Sequence, residues 1–148
     1  VFGIDPARRL VDLPGYGFAD APGLVRRHWE ELVGGYIATR ESLAAVIVVM
    51  DSRHPLMPLD RQLLQWLKVA QRPTHVLLTK SDKLSKQASQ TTLARVRARL
   101  AEITPGATVQ LFSSLKQSGV EEAAAALARL AGKNAVGAAK NKAPAKGE

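Results

Sequence analysis

Cysteine is absent from the 148 residues. That excludes disulfides, thiolate metal sites and cysteine nucleophiles. Long apolar runs are absent too. The longest uncharged one, Ser42 to Met50, falls far short of the roughly 18 residues a membrane-spanning helix needs. Nor does the chain open on a secretory pattern, because Val1 to Arg9 carries Asp5, Arg8 and Arg9 where such a segment is apolar. Together these features lead to the expectation of a cytoplasmic protein without membrane contact. Acidic residues are in the minority: 13 stand against 21 Lys and Arg, a net charge of +8. The excess points to a polyanionic partner, RNA before DNA, although it also serves solubility. No Ser-His-Asp arrangement or acid pair marks a hydrolytic centre. The three histidines have no second ligand at metal-binding spacing.

What is present is ordinary for a single globular domain: 46% hydrophobic and 23% charged residues. Short apolar runs alternate with helical periodicity. Val1 to Ile4 reads as a strand end, with Asp5-Pro6 as turn residues. Leu10 to Leu13 is a strand stopped by Pro14-Gly15. Val25, Trp29, Leu32, Val33, Tyr36 and Ile37 recur at helical spacing. Leu43 to Met50 is a continuous β-branched run, suited to a strand covered on both faces. Pro58 to Ala70 is helical, Thr74 to Thr79 a strand, and Leu93, Val96, Leu100 and Ile103 mark another helix. Thr108 to Phe112 and Val120 to Ala131 complete the series. After Gly132 the sequence turns to Ala, Lys, Asn, Gly and Pro, which reads as a basic disordered tail over 133–148. Strands alternating with helices predict an α/β fold with parallel pairing. Ligands of such sheets bind at the carboxyl ends of strands.

Three polar clusters follow three strands. The first is Asp12-Leu13-Pro14-Gly15. A strand-end carboxylate can hold a magnesium-bound water, and a glycine three residues on lets a backbone N–H approach a phosphate closely. The second is Thr79-Lys80-Ser81-Asp82. A fixed carboxylate can accept two parallel hydrogen bonds from N1–H and the 2-amino group of guanine. Adenine would leave it facing a lone pair, at roughly 1–3 kcal/mol per unpaired buried group. Lys80 can lay its stem along a base. The third is Phe112-Ser113-Ser114, followed by Leu115-Lys116, where a backbone N–H could read guanine O6. Each cluster also has a plain reading: a strand-ending turn, a solvated helix cap, and a helix cap near Ser118. Trp29, Tyr36 and Trp66 read as core. His28 and His75 read as structural or exposed, and His54 could orient Arg53. Arg95, Arg97 and Arg99 form a solvated helix face or an RNA contact.

The stretches Arg9–Ala19 (RLVDLPGYGFA), Met50–Leu56 (MDSRHPL), Leu77–Leu84 (LLTKSDKL) and Phe112–Val120 (FSSLKQSGV) resemble the EngB family of GTP-binding proteins, over residues 1 to about 132. The resemblance implies a P-loop NTPase-type G domain, a mostly parallel sheet with helices on both faces. It implies GTP/GDP and Mg2+ as ligands and assistance to large ribosomal subunit assembly, with a link to cell division and septation. The partners would be ribosomal RNA and proteins of the large-subunit precursor, met by a monomer. Asp12, Leu13, Pro14 and Gly15 would face the γ-phosphate and magnesium, Asp12 through water. Thr79, Lys80, Ser81 and Asp82 would read guanine, supported by Phe112, Ser113 and Ser114. Thr79 replaces the Asn of the general motif, as is common in the family.

The chain also departs from that pattern. Tyr16 stands where many GTPases carry a water-orienting glutamine, so slow intrinsic hydrolysis is expected. No G-x-x-x-x-G-K-[ST] loop is present: the one Gly-Lys pair, Gly132-Lys133, has Leu127 where the first glycine belongs. The threonine segment of the first switch is missing as well. These absences lead to the expectation of a G domain truncated before its DLPG motif, without its first strand, phosphate loop and first helix. Such a chain would not hydrolyse GTP by itself and would expose two strand edges. Two other readings stay open: a non-enzymatic ribosome- or RNA-binding module, and a non-functional gene fragment.

Overall fold

The computed structural model describes residues 2–13, 15, 23–133 and 140–142. Pro14, Tyr16 and the rest of the tail lie outside the described residues. The chain opens on a hairpin, β1 (Phe2–Asp5) and β2 (Arg8–Asp12), paired antiparallel across Pro6-Ala7. Then follow α1 (Gly23–Thr39), β3 (Val46–Asp51), α2 (Pro58–Val69), β4 (Thr74–Thr79), α3 (Lys86–Ile103), β5 (Thr108–Leu111), α4 (Val120–Lys133) and β6 (Lys140–Lys142). Through α4, the order expected from periodicity is the order found. Strands β3, β4 and β5 form a parallel ladder, with Val46 opposite Thr74 and His75 opposite Thr108. The fold is the G-domain-like α/β arrangement expected from the sequence.

The run at β3 is continuous in apolar residues because both faces of the strand are covered. Val46, Val48 and Met50 turn toward a core shared with α1, α2 and α3, together with Leu13. Ala45, Ile47 and Val49 turn the other way, toward Leu127 and Leu130 of α4. Leu63, Leu64 and Leu67 of α2 are essentially solvent-free, each worth about 1.5–3 kcal/mol of burial. Helix α1 contributes Trp29, Val33 and Ile37 at four-residue steps, and Trp29 meets Trp66 with ring centroids 5.7 Å apart. Val25 and Leu32, which share the apolar periodicity, are about half exposed, so the stripe is narrower than the spacing implies.

The helices start on clear signals. Pro58 opens α2, where its missing N–H is not needed, and the Met57 N–H donates to the Asp60 carboxylate at 2.9 Å. Ser85 caps α3 by accepting from the Ala88 N–H at 3.0 Å. The end of α1 carries no basic residue in its last turn. Its cation comes from Arg72, far along the chain. That guanidinium donates to the carbonyls of Ile37, Arg40 and Leu43 at 2.9, 2.7 and 3.1 Å.

The stretch expected as a tail includes two structured pieces among the described residues. Helix α4 runs on to Lys133, and Lys140–Lys142 forms a strand parallel to β2, with Leu10 opposite Lys140. An open strand edge is a row of unpaired backbone groups. Pairing satisfies those of β2 even with a polar segment, which is why composition alone reads these three residues as unstructured.

Candidate functional site at the carboxyl ends of β3, β4 and β5

The Thr79–Asp82 turn follows β4 directly. Thr79 Oγ1 donates to the Met50 carbonyl at 3.1 Å, and the Thr79 carbonyl accepts from the Ser52 N–H at 2.9 Å. Lys80 takes the left-handed backbone conformation, φ 58°, which turns the chain sharply into a 3-10 turn, Ser81–Lys83. The Ser81 N–H donates to the Phe112 carbonyl at 3.1 Å, and the Phe112 N–H donates to the Leu78 carbonyl at 2.8 Å. Phe112 thus ties the end of β4 to the loop after β5.

Within that loop, Ser113 is fully buried. Its hydroxyl donates to Asp82 Oδ1 at 2.7 Å and accepts from the Lys116 N–H at 3.1 Å. Ser113 and Ser118 exchange both backbone hydrogen bonds at 3.0 Å, closing the loop on itself. Ser118 therefore pairs with Ser113 rather than capping α4, because the helix begins only after Gly119. The Ser113 bond holds the Asp82 carboxyl below its ordinary value, against the pull of partial desolvation. The Ser113 N–H is already donated to Ser118, and the next residue, Ser114, is exposed. The result is an ionised carboxylate, fixed through one oxygen and accessible. It can accept from a ligand edge that carries two adjacent donors.

A second carboxylate borders the site. Asp51 ends β3 and forms a two-pronged pair with Arg53, Nε to Oδ1 at 3.0 Å and an NH2 group to Oδ2 at 2.7 Å. Asp51 Oδ1 also accepts from the Arg53 N–H. The Lys80 ammonium lies 3.6 Å from Asp51 Oδ2. Bonding to Arg53 holds the Asp51 carboxyl well below the usual carboxylate range. Arg53 is thus oriented by Asp51 and not by His54. Sequence reasoning missed Asp51, although one signal was available: it ends an apolar strand just as Asp12 ends β2.

The first cluster stands apart. Asp12 is exposed at the end of β2, Leu13 is buried in the core and Gly15 is half-buried. No hydrogen bond joins them to the Thr79–Asp82 turn among the described residues. There, no three potential metal ligands come together either.

Comparison with known proteins identifies the family. The sequence profile described as 50S ribosome-binding GTPase matches residues 4–80. The chain belongs to that family. Its relatives are named "Probable GTP-binding protein EngB". The one from Aromatoleum aromaticum is 52% identical over 121 residues, 82% of this chain and 56% of that protein. The one from Azoarcus sp. (strain BH72) is 54% identical over 76% of this chain and 54% of that protein. The chain spans about half the length of these curated relatives. In three dimensions it is similar to a crystal structure titled as a probable GTP-binding protein engB, with a TM-score of 0.64, 19% identity, and 82% and 77% of the two chains covered. Translation elongation factor SelB from Methanococcus maripaludis, solved with the GTP analogue GPPNHP, aligns with a TM-score of 0.61 at 18% identity, over 79% of this chain and 25% of that one. Both structural likenesses concern the fold.

Proposed function

We propose that this EngB-type chain recognises the guanine base of GTP and GDP, and that its protein acts on the large ribosomal subunit during assembly. The observation that carries the reading is the Asp82 carboxylate, fixed by Ser113 at the end of β4. Guanine presents N1–H and its 2-amino group side by side, the donor pair that this acceptor fits. Lys80, bent over the turn and near Asp51, would cover the base with its stem. Phe112 and Ser114 would complete the base loop. Asp12 and Gly15 would face the terminal phosphate, Asp12 meeting Mg2+ through water. The magnesium ion would neutralise phosphate charge. Cytoplasmic location, a monomeric state and a tie to cell division and septation belong to the same proposal. They rest on the family resemblance.

Titration of the 148-residue chain with GDP, IDP, XDP and ADP, followed by amide NMR, tests the reading. GDP is expected to shift the Thr79–Asp82 and Phe112–Ser114 amides, with ADP much weaker. Asp82→Asn should turn the preference from GDP toward XDP, because a carboxamide can donate to the 2-oxo group of xanthine. ADP binding as tightly as GDP would end the reading.

A second reading has its own support. Helix α3 exposes Arg95, Arg97 and Arg99. A ribosome- or RNA-binding module without turnover would bind RNA with a steep salt dependence that GTP leaves unchanged.

A further inference from the structure

Three polar side chains sit together on the face of the sheet under α4, next to apolar Ile47, Val49 and Leu77. His75 on β4 and Gln110 on β5 are buried, and Thr108 lies opposite His75. Their hydrogen bonds run in one direction. Gln110 Nε2 sits 2.8 Å from the Gly119 carbonyl and 3.1 Å from the Leu111 carbonyl. Both neighbours are acceptors, so this atom is the amide nitrogen and Oε1 is the acceptor. Oε1 lies 2.8 Å from His75 Nε2, which therefore carries the imidazole proton. His75 Nδ1 is then an acceptor and takes the Thr108 hydroxyl proton at 2.6 Å. Every polar atom of Gln110 and both ring nitrogens of His75 are satisfied.

The Gly119 carbonyl held by Gln110 also accepts the first bond of α4, from the Ala123 N–H at 2.9 Å. Gly119 has φ 81°, and a Cβ there would collide with the Leu111 carbonyl and the Gln110 amide. The loop therefore closes directly onto the end of β5, with the Gln110 amide as the clamp. One residue before Gly119, Ser118 pairs with Ser113, whose hydroxyl holds Asp82.

We infer that Gln110, itself oriented by His75, is a positioning residue for Asp82: it clamps the Ser113–Gly119 loop that aims the carboxylate. The inference rests on the guanine reading for its functional meaning. Gln110 touches no part of the base-facing turn, and its effect passes through Gly119, Ser118 and Ser113.

The test compares the parent chain with Gln110→Leu and with the double variant His75→Leu/Gln110→Leu. The double variant removes both hydrogen-bonding partners at once, which leaves no orphaned imidazole if the single variant folds poorly. Three readouts are taken: the 13C-carboxyl titration of Asp82, amide exchange at Ser113 and Ser118, and the affinity ratio of GDP to IDP. IDP lacks the 2-amino group. The Asp82 titration is expected to rise toward the ordinary carboxylate value, and the two amides to exchange faster, while β4–β5 protection stays intact. The GDP-over-IDP ratio should fall about fivefold, as for a misaimed hydrogen bond to a charged acceptor. An unmoved Asp82 titration, or equal losses of GDP and IDP affinity, would show Gln110 to be mere packing and overturn the inference. If the parent chain does not distinguish GDP from IDP, the guanine reading fails on its own. The Asp82 titration still decides whether Gln110 aims that carboxylate.

Discussion

Replacing Arg72 by methionine keeps its apolar stem and removes every donor. In the native fold the guanidinium closes the carboxyl end of α1 through the carbonyls of Ile37, Arg40 and Leu43. A helix end leaves carbonyls such as that of Ile37 without intrahelical partners, and α1 has no basic residue in its last turn. Two of the three bonds are partly buried and the Arg40 bond is exposed. With about 0.5–1.5 kcal/mol net for each shielded bond and little for the exposed one, the loss is about 2 kcal/mol. For a chain of this size that lowers the melting temperature by about 6–8 °C. Urea unfolding followed by tryptophan fluorescence measures it, because Trp29 and Trp66 stack beside the affected helix. Arg72→Lys should recover only a minor share, since an ammonium on a flexible stem cannot reach three diverging carbonyls at once. A midpoint for Arg72→Met within about 0.5 kcal/mol of the parent, at unchanged denaturant slope, would refute the reasoning.

Three further outcomes follow from the geometry. Gly119→Ala should destabilise by more than about 1 kcal/mol, because it combines a left-handed φ with a collision at Leu111; amide exchange at Ser113 and Ser118 locates the damage. Burial lowers the pKa of His75 below its ordinary 6.5, with Arg129 acting in the same direction, while the Gln110 bond and Glu122 oppose them. The unfolded chain therefore binds the proton first, and stability is lost as pH falls below that value. His75→Gln should flatten this part of a stability–pH curve measured by urea unfolding. Asp51 is depressed below its ordinary 3.8, so its contribution is present above that value and is lost as pH falls further. Asp51→Asn should abolish this acid step and, by freeing Arg53, speed exchange of its Nε–H with water, measured by NMR.

The sheet and its helices were legible because their cores are periodic. Leu63, Leu64 and Leu67 announce α2, and the run before Met50 announces a doubly covered strand. The Thr79–Asp82 turn was legible because it follows a strand with no spacer. The supporting contacts were not, because they join residues far apart in sequence. Nothing near Ile37 points to Arg72 as its cap, and Gln110 reads as one polar residue in a short strand until His75 is found beside it. Asp51 was hidden differently: Arg53 lies only two residues along, but Lys80 reaches it only when β3 and β4 pair. The strand at Lys140–Lys142 had no signal at all, since lysine and asparagine in a strand reflect the need of β2 for a partner and not a preference of their own.

That last pairing bears on the order in which the molecule assembles. The ladders β3–β4 and β4–β5 join residues about 30 positions apart, as in Val46 with Thr74 and His75 with Thr108. The β2–β6 ladder joins Leu10 to Lys140. Closing the larger loop costs about 1.3 kcal/mol more in chain entropy, against three ladder pairs between β2 and β6 among the described residues. The parallel ladder can nucleate early on local crossovers, while β6 docks at the end of folding and detaches at the start of unfolding. The hairpin at the beginning of the chain thus completes its sheet only after nearly all the intervening sequence has found its place.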